Sequence, residues 1–261
     1  MRWRPACGLR VAHGFTIVDL MVTIGVMSVL LGITLPAMLG ARNRSRELVC
    51  VANLHGLAQT VSAYAQEHKG RYLFEKGGDG TQFPSTLDRR GSVTIPHAWS
   101  LEIQWTFLLF DTAPWDEYFA TWLCPGAPRL EGTPWGSGGI IGLDGQPIGN
   151  AQSSYNYSHS FVASPSVWSG DSDADEALIR PILVSEVAYP ANKVMFWDSE
   201  MAHLSVRRRT AAALDRRPML FADGHAAVMR MSEASEPVVN PFTDVARRLV
   251  DTRDGVDGRD Y

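Results

Sequence analysis

The hydrophobic pattern of the chain changes at Arg42. Before that point apolar residues run together: after Asp19 no charge occurs until Arg42, which leaves 41 − 19 = 22 uncharged positions. Side chains such as Leu20, Ile24, Met27, Leu30, Ile33 and Leu35 would cover every side of a helix. That suits lipid or a fully buried bundle, not one core-facing stripe. At about 1.5 Å per residue the run spans roughly 33 Å, enough to cross a bilayer core. Past Arg42 the pattern becomes one-sided. Cys50, Leu54, Leu57, Val61 and Tyr64 follow spacings of four, three, four and three, a single helical stripe. His68 and Lys69 suit a helix C-terminus, and Gly70 suits its end. The pattern predicts one helix of about fifty residues, its first half in a membrane and its second half packed on a globular domain. Pro36 lacks an N–H and is expected to kink that helix or melt it locally.

Beyond residue 70 the pattern shortens. Gly77-Gly78-Asp79-Gly80 reads as a turn or flexible loop. Leu101 to Phe110 is apolar and aromatic and fits a short helix or a strand. Pro134 to Gly149 is Gly-rich and reads as loop, and Asp171 to Glu176 as an exposed acidic loop. Ser153 to Tyr157 alternates as a strand does. Ile182 to Val184, Lys193 to Trp197, Met219 to Ala222 and Ala226 to Met229 are short apolar runs of β character. The last two flank Asp223-Gly224, which signals a two-residue hairpin turn. The fold class expected is α+β, a long N-terminal helix laid on an antiparallel sheet with long loops.

The segment ahead of the apolar run is basic. It holds Arg2, Arg4 and Arg10, no acid, and ends in Gly14. An ordinary secretory signal peptide loses its apolar region on cleavage. Here Gly14 precedes the apolar run, so a cut there would leave the anchor in place. Excess Arg before the span predicts a cytoplasmic N-terminus with the remainder outside; the Arg42–Arg46 cluster argues weakly the other way.

Gly14-Phe15-Thr16-Ile17-Val18-Asp19, the apolar run, and Pro36 at position 36 − 14 = 22 after the leader together resemble type IV prepilins and type II secretion pseudopilins. The family pattern is a basic leader ending in Gly, then Phe or Met, then Thr-Leu-x-Glu and an apolar helix with a proline. The resemblance covers about the first quarter of the chain, with one departure: Asp19 stands where the family has Glu. Three further phrases resemble large pilin-like members of this group. They are Cys50-Val51-Ala52-Asn53-Leu54, Trp122-Leu123-Cys124-Pro125 and Phe221-Ala222-Asp223-Gly224-His225.

The resemblance implies a division into a cleaved leader (1–14), a transmembrane half-helix (15–41), an amphipathic half-helix (42–69) and a globular pilin-like domain (70–261). It implies cleavage by prepilin peptidase between Gly14 and Phe15, methylation of the new Phe15 amine, and assembly through the helix with Asp19 and Pro36 taking part. Asp19 would neutralise the Phe15 amine of a neighbouring subunit, since an acid inside an apolar span is costly and functional by default. A plain interfacial acid reaching the headgroups is the alternative. The partners implied are other pilin or pseudopilin subunits, an inner-membrane assembly platform and the bilayer. The location implied is a single-pass inner-membrane protein with a periplasmic domain, then a filament in the periplasm or at the cell surface.

Charge and chemistry add limits. Net charge is −4, and −4 − 3 = −7 without the leader arginines. Arg207-Arg208-Arg209 and Arg216-Arg217 are too short to suggest nucleic acid. Of three cysteines, Cys7 lies in the leader, leaving Cys50 and Cys124 as a disulfide candidate in an oxidising compartment, or as two unpaired buried thiols. Asp198, His203, Asp223 and His225 could form a metal site, but no tight ligand spacing supports one, and no metal or cofactor is assigned. Asp251, Asp254, Asp257 and Asp260 recur every three residues near Gly255 and Gly258. Major pseudopilins bind calcium in a C-terminal loop, but the EF-hand pattern is absent, and Arg253 and Arg259 offset the acids. A loosely packed acidic tail is expected instead.

No nucleophile motif such as GxSxG and no P-loop is present, so the chain does not read as an enzyme. The expected function is a structural subunit of a type IV pilus or type II secretion pseudopilus. The alternatives are a minor, adhesive pilin that binds a surface or polymer, or a membrane-tethered periplasmic enzyme.

Overall fold

The computed structural model describes residues 16–84, 92–109, 111–113, 118, 121–126, 153–170, 172–204 and 209–261. The cleavage-site residues Gly14 and Phe15, the 134–149 loop and Arg207-Arg208 lie outside these.

Helix α1 runs Ile17–Glu67. The helix passes unbroken through Pro36, so of the kink or local melting expected there the melting does not occur. The chain divides into two compact units, Met1–Arg42 and Asn43–Tyr261. In the first, Ile17, Met21, Ile24, Met27, Leu30 and Ile33 are all exposed. This helix is long and apolar enough to cross a membrane, with a mean hydropathy of 2.2 over its most apolar window and none of that window buried.

In the second unit the one-sided stripe does what its spacing predicts. Cys50, Leu54, Leu57, Val61 and Tyr64 are buried, while Leu48 and Val49 are exposed. The helix ends where the sequence changes character. His68 Nδ1 contacts the Tyr64 carbonyl at 2.8 Å, and Gly70 N–H donates to the Ala65 carbonyl at 2.7 Å. Lys69 (φ 59°) and Gly70 (φ 79°) both turn left-handed there, a conformation that closes helices and that Gly adopts without cost.

Among the described residues, this second unit, the head, holds two antiparallel sheets. β1 (Gln82–Pro84) pairs with β2 (Ser92–Thr94). The main sheet has the order β3 (Tyr155–Tyr157), β4 (Val194–Asp198), β5 (Arg216–Phe221), β6 (Ala226–Arg230). All of β4 is buried, as the apolar run Val194 to Trp197 requires of a strand covered on both sides, and Asp198 at its end is buried with it. One face, with Phe196 and Leu220, packs into the core that contains Leu54, Leu57, Trp105 and Tyr157. The other, with Trp197, Met219 and Phe221, packs against Leu249 and Val250 of the C-terminal segment. A register irregularity between Val194 and Phe196 interrupts the pairing with β5.

Three expectations change. Ile182-Leu183-Val184 is not a strand; Leu183 makes an isolated bridge to Arg71 and a 3₁₀ turn follows at Val184–Glu186. The β5–β6 connection holds four residues, Ala222 to His225, not two. Phe221 N–H donates to His225 C=O, and Gly224, at φ 90°, donates its N–H back to Phe221 C=O to close the loop. The C-terminal tail is packed rather than loose, because it covers the second face of the sheet. Val256 is fully buried, and Asp251 and Asp260 are buried with separate partners. Between residues 101 and 109, where helix and strand were both open, the chain forms a short helix α2 (Leu101–Gln104) and a 3₁₀ turn, with Trp105 Nε1–H donating to Tyr155 C=O at 2.8 Å.

Candidate functional site

Cys50, on the buried stripe of α1, meets three residues from distant parts of the head. Cys124 Sγ lies 3.0 Å from Cys50 Sγ, and both cysteines are free and buried. His203 Nδ1 lies 3.5 Å from Cys50 Sγ, 3.2 Å from Cys124 Sγ and 3.2 Å from Asp198 Oδ2. The four ligand-capable atoms fall within 4.8 Å of one another. Asp198 is fully buried and His203 nearly so.

Local structure explains how each residue is held. Asp198 ends β4, and its Oδ1 accepts the Met201 N–H at 2.8 Å. That bond folds the chain back at Met201, which sits at φ 50°, a conformation that costs a non-glycine residue about 1 kcal/mol and is found where surrounding structure imposes it. The turn delivers His203, whose own N–H donates to Cys124 Sγ at 3.1 Å. Cys124 is fixed by its N–H donating to Ser154 Oγ at 2.9 Å, and Ser154 donates to Glu200 at 2.7 Å. Gly126 follows at φ 116°; a Cβ there would stand 2.7 Å from the Ala202 carbonyl. Only glycine lets the Cys124 and His203 loops cross this closely. Asn53, one turn along α1, donates to Leu123 C=O at 3.2 Å.

Electrostatics follow from burial. The Cys124 thiol is raised well above its ordinary range by its contact with Cys50 and by desolvation. Burial alone would lower the His203 imidazole, but Asp198 and the Cys124 sulfur raise it to about 9. Burial raises Glu200 as well.

The metal set considered from sequence, Asp198, His203, Asp223 and His225, divides in two. Asp198 and His203 belong to the cysteine cluster. His225 stacks on Phe221 and contacts Asp223 Oδ1 at 2.6 Å in the exposed hairpin loop. The disulfide candidates do meet, as thiols. The sequence offers only a faint signal for the cluster, an acid at a strand end with a histidine five residues on. Asp19, in the first unit, is exposed at the start of α1, where it meets Thr16. The side chain of Pro36 lies outside the described set.

No family model, curated protein or solved structure matches this chain.

Proposed function

We propose that this chain is a structural subunit of a type IV pilus or type II secretion pseudopilus, made as a prepilin and assembled through α1. The observation that carries the reading is the first part of α1: apolar on all sides, exposed, and carrying a single acid, Asp19, in its first turn. Such a face needs lipid or other copies of itself to cover it. Its length suits a bilayer, and an acid at its start needs a cationic partner. A Phe15 amine created by cleavage after Gly14 supplies that partner from a neighbouring subunit.

In this reading prepilin peptidase removes residues 1–14 at the cytoplasmic side, and residues 70–261 stand outside the inner membrane. The cysteine, histidine and aspartate cluster is closed to solvent, which favours a structural part over a membrane-tethered enzyme. Mass spectrometry of the membrane-extracted protein tests the proposal. The expected N-terminus is a methylated Phe15. An intact Met1, or a cut after the apolar run, in cells with active prepilin peptidase overturns it.

A further inference from the structure

The geometry points to a structural zinc site formed by Cys50, Cys124, His203 and Asp198. Four atoms that all carry lone pairs lie within 4.8 Å of one another, with both sulfurs and the carboxylate oxygen 3.2 to 3.5 Å from His203 Nδ1, inside a region closed to water. Protons alone satisfy this arrangement poorly. Two sulfurs and a carboxylate oxygen crowd on His203 Nδ1, which can donate one hydrogen. Asp198 Oδ2 accepts no hydrogen bond among the described residues, although it is fully buried. A buried carboxylate oxygen that faces only an imidazole nitrogen shared with two sulfurs is poorly satisfied, and a cation among the four removes that cost.

The donor set selects the ion. Two thiolates, an imidazole and a carboxylate make a closed four-ligand set of mixed softness, which suits zinc; calcium and magnesium require oxygen. Bonds of about 2.3 Å to sulfur and about 2.0 Å to nitrogen and oxygen place tetrahedral ligands roughly 3.3 to 3.8 Å apart. The three separations to His203 Nδ1 are already close to that range. The two sulfurs must part by several tenths of an ångström. Binding releases the two thiol protons.

The surroundings also match. The His203 N–H on Cys124 Sγ and the Met201 N–H on Asp198 Oδ1 are donors of the kind that orient and stabilise anionic ligands. Arg217 Nη1, donating to Asp198 C=O at 3.1 Å, brings a positive charge beside a site that would carry a net negative one. The site would clamp α1 to the end of β4, joining residues 153 apart in sequence. The inference rests on this cluster and stands whether or not the chain forms filaments.

The test uses the full-length protein extracted in detergent without chelators. Elemental analysis should give about one zinc per chain, and Cys50 and Cys124 should alkylate only after denaturation with chelator. Replacement by Co²⁺ should produce the strong visible bands of a tetrahedral thiolate complex. Asp198→Asn, close in shape, and His203→Ala should each weaken retention at least tenfold against a competing chelator. Three results overturn the inference: a Cys50–Cys124 disulfide in metal-free protein, reduced protein that takes up neither zinc nor cobalt, or metal content unchanged in Cys50→Ser/Cys124→Ser. The first two need no variant, so misfolding of a variant does not obscure the answer.

Discussion

Lys193 Nζ lies 3.5 Å from Asp260 Oδ2, and neither side chain reaches solvent. The pair joins the residue just before β4 to the second-last residue of the chain. Asp260 also accepts the Val194 N–H at 2.7 Å and the Thr252 hydroxyl at 2.6 Å. Removing one partner of a buried ion pair strands the other charge and costs about 3–5 kcal/mol. Lys193→Met should therefore lower the Tm of the head by roughly 6–20 °C. Protease should cut the C-terminal segment first, because that segment loses its tie to β4. Thermal melts and limited proteolysis of variant and natural protein check both points; an unchanged Tm shows that Asp260 is held by its two hydrogen bonds alone.

Leu57 sits at the centre of the buried stripe of α1 and is almost fully enclosed, whereas Leu48 is largely exposed. Leu57→Ala should destabilise the head by about 2–5 kcal/mol through lost burial and the cavity left behind. Leu48→Ala should change it by less than about 0.5 kcal/mol. Denaturant unfolding of both variants separates them. Similar losses at the two positions would mean that α1 does not pack on the head through the Cys50–Tyr64 stripe.

That stripe was legible in the sequence because helical burial repeats locally: Leu54, Leu57 and Val61 reveal their shared side without knowledge of what covers it. β4, β5 and β6 were legible for a similar reason, as short apolar runs bounded by breakers. The hairpin was placed correctly but given too short a turn, since its length depends on whether Phe221 and His225 pair. The tail was misread because its regular acids suggested solvent, while Asp251 and Asp260 each turn inward to a different partner. The cluster at Cys50 was least legible. Its members come from α1, a loop, a strand end and a strained turn, and no spacing in sequence encodes their meeting.

Burial raises Tyr72 to about 12 and lifts Tyr157 and Tyr155 well above the usual phenol range. The folded state thus favours the protonated phenols, while the unfolded chain ionises them near 10. Their contribution to stability is complete below pH 10 and is lost as pH rises from 10 toward 12, at about 1.4 kcal/mol per pH unit for each tyrosine. Lys193, lowered by burial, acts in the opposite sense up to its ordinary value of 10.5. The tyrosinate absorbance of these three buried residues should rise in one cooperative step that coincides with loss of circular dichroism. Separate titration of these tyrosines in a still-folded head would show that they are open to water.

Thr16 and Asp19 form a reciprocal cap at the start of α1. The Thr16 N–H and hydroxyl contact Asp19 Oδ2 at 3.1 and 2.7 Å, and the Asp19 N–H donates to Thr16 Oγ1 at 3.2 Å. This is a capping box with Asp in the place of the usual Glu or Gln. It gives Asp19 a local role that competes with the proposed pairing to a neighbour's Phe15 amine. Two substitutions distinguish them. Thr16→Val removes the side-chain half of the cap and should cost helix initiation about 1 kcal/mol, leaving the carboxylate available. Asp19→Ala removes the carboxylate. Membrane insertion should survive both, because the apolar run is long enough alone. Cleavage after Gly14 should also survive both. If Asp19 neutralises the amine, Asp19→Ala should nearly abolish incorporation into sheared filaments, Thr16→Val should assemble near the natural level, and Asp19→Glu should do at least as well as the natural residue. Equal loss in Thr16→Val and Asp19→Ala would reduce Asp19 to a helix cap. Normal assembly of Asp19→Ala would remove the acid from the assembly mechanism altogether.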